Sequence, residues 1–184
     1  EGIRKGMYLL REGKPKAKKT LRVQLLGSGT ILREVEAAAD LLREDFGVAA
    51  DVWSVTSFNE LRREGLQLDR DDMLNPEKER GPNWVEKCLE GRAGPVIAST
   101  DYMRAFADQI RPWVKAPYSV LGTDGFGRSD SRQKLRHFFE VDRYFVVLAA
   151  LNALRKEGKV EAAVVKQAIE KYGINTDKPY PVMH

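Results

Sequence analysis

The chain has 184 residues, a length typical of one domain and sufficient to bury a hydrophobic core without a metal ion or a disulfide. Apolar residues make up 42% of the chain and charged residues 32%, and this balance excludes an intrinsically disordered protein. Since no run of ~18 apolar residues is present, the sequence predicts no membrane-spanning helix and no membrane partner.

The formal net charge is +4, and much of the excess lies in the lysine-rich run of residues 14–19. A nucleic-acid site of this kind interleaves its cations with aromatic side chains, which the run lacks. We therefore expect a solvated loop here and no nucleic-acid partner.

Alternating strands and helices are predicted along the chain, beginning with a weak strand at residues 6–11. The stronger apolar strands that follow it lie at residues 21–26, 51–55, 96–99 and 118–121. This alternation is typical of an α/β fold that has a mainly parallel sheet and helices on both faces. The order of the strands does not follow from the sequence.

The first long helix lies between the strands at residues 21–26 and 51–55. Its apolar residues recur at the spacing of one buried helix face: Val35, Ala38, Ala39, Leu42 and Phe46. We expect Gly47 to end this helix, because glycine adopts the left-handed conformation of a helix C-terminus.

The next predicted helix is short, covering residues 58–63 after the capping pair Thr56-Ser57. Residues 65–81 show little periodicity and are predicted to form an irregular connection. A connection of this length is uncommon inside a compact domain, so its charged residues are candidates for contact with a further domain.

Helices dominate the remainder of the chain. They are predicted at residues 84–89, 103–110 (ending at Pro112), 131–139, 143–157 and 160–172. Residues 144–154 are apolar nearly all round, so this helix is buried in the domain or packs on a partner. Residues 173–184 are predicted to form an irregular tail, and residues 1–184 are interpreted as a single domain.

Small polar residues and glycines end four of the predicted strands: Ser28, Gly29, Thr56, Ser57, Thr100, Asp101, Thr123 and Asp124. The ends of parallel strands meet at the edge where open α/β sheets bind ligands. The same residue types also cap helices, and both alternatives stay open. Leu32 stands where a dinucleotide-binding fingerprint has its third glycine, so no such cofactor site is expected.

The most unusual segment is 123–136, with the sequence TDGFGRSDSRQKLR. Phe126 lies between two glycines, and arginines follow at every fourth position: Arg128, Arg132 and Arg136. Such arginines bind anions or pair with acids across a subunit interface. The equally supported alternative is pairing within the chain, with Asp124, Asp130 or Glu140.

Metal ligands and nucleophiles are scarce. The histidines are His137 and the terminal His184, and Cys88 is the single cysteine, so the sequence predicts no metal site and no disulfide. We expect His137 and Cys88 to be partly buried structural residues. The chain begins at Glu1 without a basic region followed by an apolar stretch, so we expect no secretory leader.

Four stretches together identify a family: LGTDGFGRSD at 121–130, QLLGSGT at 24–30, DVWSVTSF at 51–58 and ASTDYM at 98–103. With them, the chain resembles the C-terminal domain of the homodimeric, thiamine-dependent pyruvate dehydrogenase component, and more distantly that of transketolases. This resemblance implies a three-layer α/β sandwich whose five-stranded, mainly parallel sheet has one antiparallel edge strand.

The resemblance also implies a function for the whole enzyme. Enzymes of this family are cytoplasmic homodimers that decarboxylate pyruvate on thiamine diphosphate and Mg²⁺, then reductively acetylate a lipoyl group of the dihydrolipoyl acetyltransferase core. Their diphosphate motif, a Gly-Asp-Gly followed by a distant Asn pair, does not occur here, because Phe126 follows Asp124-Gly125. We therefore expect no cofactor on this chain and assign it no catalytic, cofactor-binding or metal-binding residue.

A structural role follows from the resemblance: this domain is expected to contact the other domains of its subunit and to support the dimer. Residues 144–154 and the arginine-rich loop are the candidates for such contacts. The alternative function is a regulatory module that binds a small anion at the strand ends. The candidate residues for this anion site are also the candidates for an interface contact: Ser28, Gly29, Thr123, Asp124, Phe126, Arg128, Arg132 and Arg136.

Overall fold

The computed structural model describes residues 1–17 and 20–183. Its sheet consists of β1 (Met7–Arg11), β2 (Arg22–Ser28), β3 (Ala49–Val55), β4 (Val96–Ser99) and β5 (Tyr118–Leu121). The strand order is β1-β3-β2-β4-β5. β1 pairs with β3 in antiparallel fashion at one edge, and the other pairs are parallel. The five-stranded, mainly parallel sheet with one antiparallel edge strand is thereby confirmed.

The helices are α1 (Gly2–Lys5), α2 (Leu32–Phe46), α3 (Phe58–Leu74), α4 (Trp84–Leu89), α5 (Arg104–Asp108), α6 (Arg132–Phe138), α7 (Arg143–Lys156) and α8 (Ala162–Lys171). They cover the sheet from both sides. One apolar core joins the sheet to α2, α7 and α8, and a second joins it to α3, α4 and α5. The predicted three-layer α/β sandwich is therefore confirmed.

The inner strands are buried on both faces, as the short apolar runs indicated. Every residue of β3 and β4 is buried, and only Arg22 of β2 is partly exposed. Gly47 ends α2 with a φ of 66°, in the left-handed conformation that favours glycine. None of the helices in the described part of the chain is long and apolar enough to cross a membrane.

The prediction for residues 58–81 was wrong in its length. Ser57 caps α3 as expected, accepting a hydrogen bond from the backbone of Glu60, but the helix continues to Leu74. Gly65 lies in its middle because the indole of Trp113 packs there, and a Cβ at this position would come 2.5 Å from that ring. Glycine often ends a helix, but here its lack of a side chain allows the Trp113 ring to pack closely against the helix. The irregular connection is correspondingly short.

The apolar helix α7 packs inside its own chain. Its buried residues are Phe145, Val146, Val147, Ala150, Leu151, Ala153 and Leu154. All of them except Phe145 belong to the core that includes α2 and α8. Of the two alternatives left open for residues 144–154, burial in the domain is the one observed. The interpretation of this helix as a subunit contact is therefore wrong for most of its apolar surface.

Smaller differences concern the other helices and the tail. Pro112 lies within a 3₁₀ turn after α5 instead of directly ending the helix. The tail after α8 is irregular as predicted, apart from one 3₁₀ turn at Pro181–Met183. Lys178 anchors the tail by donating to Glu140 at 2.7 Å and to the carbonyl of Phe138 at 3.0 Å. The lysine run lies partly outside the described residues, and His184 lies wholly outside them.

A buried polar network lies at the amino ends of the central strands. Asp51 has no exposed surface, and its Oδ1 accepts hydrogen bonds from the Gly13 amide at 2.8 Å and from the Arg22 guanidinium. Its Oδ2 accepts from the side-chain amide of Gln24 at 3.0 Å. The Gln24 oxygen in turn accepts from the indole N–H of Trp53 at 2.9 Å. One carboxylate thus joins β2, β3 and the loop after β1.

Candidate functional site at the carboxyl edge of the sheet

The carboxyl ends of the parallel strands meet at one edge, as the sequence indicated. β2 is connected through α2 to β3 on one side, and β4 is connected through α5 to β5 on the other side. The crevice between β2 and β4 is therefore the point at which open α/β sheets bind ligands. Ser28 and Gly29 border it from β2, and Thr100 and Asp101 border it from β4.

The hydroxyl groups at this crevice bond to each other. Ser28 Oγ donates to Thr100 Oγ1 at 2.8 Å, and both residues are buried. Thr100 Oγ1 also accepts from the amide of Tyr102 at 3.2 Å. Ser28 caps no helix through its side chain, and its hydroxyl is directed to Thr100.

Asp101 joins the three loops that surround the crevice. Thr30 Oγ1 donates to its Oδ2 at 3.2 Å, and Thr123 Oγ1 donates to its backbone carbonyl at 2.6 Å. Gly29 has a φ of 55°, and a Cβ there would lie 3.2 Å from Asp101 Oδ1. Sequence reasoning noted Asp101 as a strand end but did not include it among the site residues.

Asp124 holds the next loop to α5. Its Oδ1 accepts from the backbone amide of Arg104 at 3.0 Å, and its Oδ2 lies 3.4 Å from Arg104 Nε. Arg104 also donates to the hydroxyl of Tyr180 in the tail at 3.2 Å. Asp124 is therefore placed to organise the loops, while Phe126 beside it is 82% exposed.

The three arginines of the loop do not converge on one point. The Arg128 guanidinium lies 4.3 Å from the centroid of the Phe138 ring, whereas Arg136 donates to Glu34 at 2.9 Å. Arg132 lines two neighbouring cavities and forms no ion pair with a described residue. The predicted partners Asp124, Asp130 and Glu140 are instead paired with Arg104, Lys134 and Lys178.

Glu34 is the carboxylate that sequence reasoning missed. It lies in the first turn of α2, is 6% exposed, and accepts from Arg136 Nη1 and Arg143 Nε, each at 2.9 Å. Burial alone would raise the pKa of Glu34, but the hydrogen bonds and positive charge of Arg143, together with the charge of Arg136, leave this pKa below its ordinary value. The sequence around Glu34 carries no local signal for these partners, because Arg136 and Arg143 lie more than a hundred residues further along the chain.

Two cavities lie beside the arginine loop. The smaller, of about 460 Å³, has an apolar floor that includes Ile31 and Phe139 and a rim formed by Arg128, Arg132 and Asp101. The larger, of about 1060 Å³, is lined by both signs of charge. His137 lies at its wall, with Nδ1 2.9 Å from Asp142 and its ring against Phe145, as expected of a structural histidine.

Clustered metal ligands and an activated thiol are both lacking among the described residues. No group of three or more His, Cys, Asp or Glu side chains within residues 1–17 and 20–183 is placed to hold a metal ion. Cys88 is partly buried, and burial raises the pKa of its thiol to about 11 with a smaller contribution from Glu64, so it is a poor nucleophile at neutral pH. We derive no chemical step on this chain.

The chain belongs to the family of transketolase-like TK C-terminal domains, whose family model matches residues 6–142. Several relatives with similar sequences are named pyruvate dehydrogenase E1 component. The chain is 64% identical to that of Pseudomonas aeruginosa over 183 residues, 57% identical to that of Cupriavidus necator and 50% identical to that of Escherichia coli K12. The resemblance found in the sequence is thereby confirmed.

These relatives are much longer than the chain. The match covers 99% of the chain but only 20% of the Pseudomonas and Cupriavidus proteins. Among solved structures, a transketolase from Pichia stipitis matches 86% of the chain and 19% of its own length, with a TM-score of 0.54 and 21% identity. An inactive β4 tetramer of a split-gene transketolase gives a TM-score of 0.53 at 19% identity, covering 84% of this chain and 43% of that chain. These two likenesses establish the fold.

Proposed function

We propose that this chain is the C-terminal domain of a cytoplasmic, homodimeric pyruvate dehydrogenase E1 component. The observation that carries the proposal is the 64% identity to such a protein over 99% of the chain. The whole protein would decarboxylate pyruvate with thiamine diphosphate and Mg²⁺ and reductively acetylate the lipoyl group of dihydrolipoyl acetyltransferase. Within it, this domain supports the subunit and its dimer and supplies no reacting group.

A supporting role agrees with the bonding at the carboxyl edge. The hydroxyls of Ser28 and Thr100 are hydrogen-bonded to each other, and Asp124 accepts a hydrogen bond from Arg104. Asp101 accepts hydrogen bonds from the loops that follow β2 and β5. A general acid needs a proton-donating group directed at the substrate, and a general base needs a proton-accepting atom directed at it. The polar groups of this edge are instead directed at one another, which supports a rigid scaffold.

The test is a substrate assay on the whole protein that contains this chain. We expect release of CO₂ from pyruvate that requires added thiamine diphosphate and Mg²⁺, followed by acetylation of a lipoyl domain of the acetyltransferase. The matched control substrate is 2-oxoglutarate, which should react far more slowly. Turnover of 2-oxoglutarate without turnover of pyruvate would contradict the proposal.

The alternative function is regulatory binding of a small anion at the strand ends. It is supported by the cavity of about 460 Å³, whose lining includes Arg128 and Arg132 beside Thr30, Thr123 and Asp101. Arg132 offers the most accessible charge, because Arg136 is already bound to Glu34 and Arg128 lies over Phe138.

Amide chemical shifts of the chain during titration with pyruvate, acetyl-CoA, phosphate and sulfate test this alternative. A site at the crevice predicts saturable shifts at Ser28, Gly29, Thr123, Asp124, Phe126, Arg128, Arg132 or Arg136, and loss of these shifts in Arg132→Gln. Lys166→Gln on α8 is the control that should leave them unchanged. Absence of shifts at millimolar ligand would exclude the regulatory function.

A further inference from the structure

Exposed apolar side chains are concentrated at the carboxyl edge of the sheet. Of the twelve large apolar side chains that the described residues expose, six belong to the segment before α5, the loop of Phe126 and the tail: Tyr102, Met103, Phe126, Tyr180, Val182 and Met183. We call this surface the carboxyl-edge patch. Single exposed apolar residues are normal, but a contiguous group usually marks a surface that another part of a protein covers.

Contacts within the chain show that the patch is contiguous. The carbonyl of Tyr102 accepts from the amide of Thr123 at 2.9 Å, which brings the segment before α5 against the loop of Phe126. The tail packs on the same loop, because a Cβ at Gly125 would meet the carbonyl of Pro181 at 2.5 Å. The patch therefore combines two loops and the tail, which Arg104 links through its bond to Tyr180.

Two arginines lie at the margin of the patch, near the exposed carboxylates of Asp101 and Asp130. Arg128 and Arg132 are exposed, and neither forms an ion pair with a residue of the described ranges. A covering surface with an apolar centre and acidic residues around it would complement both features.

The chain enters the domain at the same edge. Met7 pairs with Val55, the last residue of β3, and Thr56 Oγ1 donates to the carbonyl of Ile3 at 2.7 Å. Helix α1 and Glu1 therefore lie at the carboxyl ends of the strands. If the proposed function is correct, the rest of the protein would join the chain at this edge of the sheet, at the opposite end of the strand order from the patch.

We propose that the carboxyl-edge patch is the surface on which the preceding domains of the same large protein dock, through an apolar surface rimmed by acidic residues. This inference rests on the proposed function, since it takes those domains as the occupant. It assigns Phe126 to the centre of a buried contact and Arg128 and Arg132 to its charged margin. The proposed contact explains why Phe126 is exposed between two glycines, because the loop places the ring against the preceding domains.

Cysteine labelling of the whole protein tests the docking. Phe126→Cys is compared with Lys166→Cys, whose original side chains are 82% and 78% exposed in this chain. We expect maleimide to label the first site at least about tenfold more slowly than the second, because labelling would require the domains to separate. Peptide mass spectrometry reads each site separately from native cysteines. Equal labelling rates would overturn the proposal.

A photo-crosslinking amino acid at position 126 of the whole protein identifies the occupant. Crosslinks to peptides that precede this chain are expected. Crosslinks only within residues 1–184, from the same or a second copy, or no crosslinks at all, would overturn the proposal. Pyruvate turnover by the unsubstituted protein is recorded in parallel. Its absence would contradict the proposed function, while the crosslinks would still report which segment covers the patch.

Discussion

Replacement of Asp51 by alanine should lower the free energy of unfolding of the chain by about 3 kcal/mol. The carboxylate has no exposed surface and accepts hydrogen bonds from Gly13, Arg22 and Gln24, with Arg92 3.5 Å away. Its removal leaves buried donors without an acceptor and a guanidinium without its anion. Urea denaturation monitored by tryptophan fluorescence measures the change, since Trp53 belongs to the same network.

The control for Asp51→Ala is Asp40→Ala. Asp40 is also paired with an arginine, Arg11, but both side chains are about half exposed. Exposed ion pairs contribute little, so this substitution should change the free energy of unfolding by about 0.5 kcal/mol or less. Similar effects of the two substitutions would show that the buried network does not hold the central strands together.

Replacement of Glu34 by glutamine should lower the free energy of unfolding by about 2 kcal/mol at neutral pH. The substitution preserves the size of the side chain but removes the charge that Arg136 and Arg143 share. Because α2, α6 and α7 meet at this carboxylate, we expect α6 and the arginine loop to loosen first. Hydrogen exchange of α6 and denaturant unfolding measure the local and global effects.

The same carboxylate predicts a pH dependence. The pKa of Glu34 is lowered in the folded chain from its ordinary value of 4.5. Its contribution to stability is therefore complete above 4.5 and is lost as the pH falls through the lower, folded-state pKa. We expect Glu34→Gln to differ from the parent at pH 7 and to approach it below that window. Exposed Glu170 on α8, as Glu170→Gln, is the control; an unchanged difference at low pH would contradict the account.

The positions of the strands could be predicted because the sequence signal for a strand is local. Runs such as those at 96–99 and 118–121 are short, apolar and bounded by small polar residues, and the structure places strands at those residues. The antiparallel edge strand came from the family resemblance, because six residues such as those at 6–11 carry too little pattern to give a direction. The strand ends were likewise correctly placed at one edge.

Errors arose where a distant side chain decides the local structure. Gly65 was placed in an irregular connection, but it lies within α3 because Trp113 packs against it. The acids considered as partners of Arg136 within the chain were all nearby in sequence, but its partner is Glu34 on another helix. Helix α7 was equally compatible with burial and with a partner, and the packing of α2 and α8 settled this. Hydrophobic periodicity predicts which face of a helix is buried, but it does not identify the surface that covers that face.

The most direct test of the central account compares CO₂ release from pyruvate by the whole protein with that by this 184-residue chain alone. Both are assayed with thiamine diphosphate and Mg²⁺, after circular dichroism has confirmed that the chain is folded. The account predicts turnover by the whole protein and none by the folded chain, even at high concentration, because its residues supply structure and docking surface. Pyruvate turnover by the chain alone would contradict it.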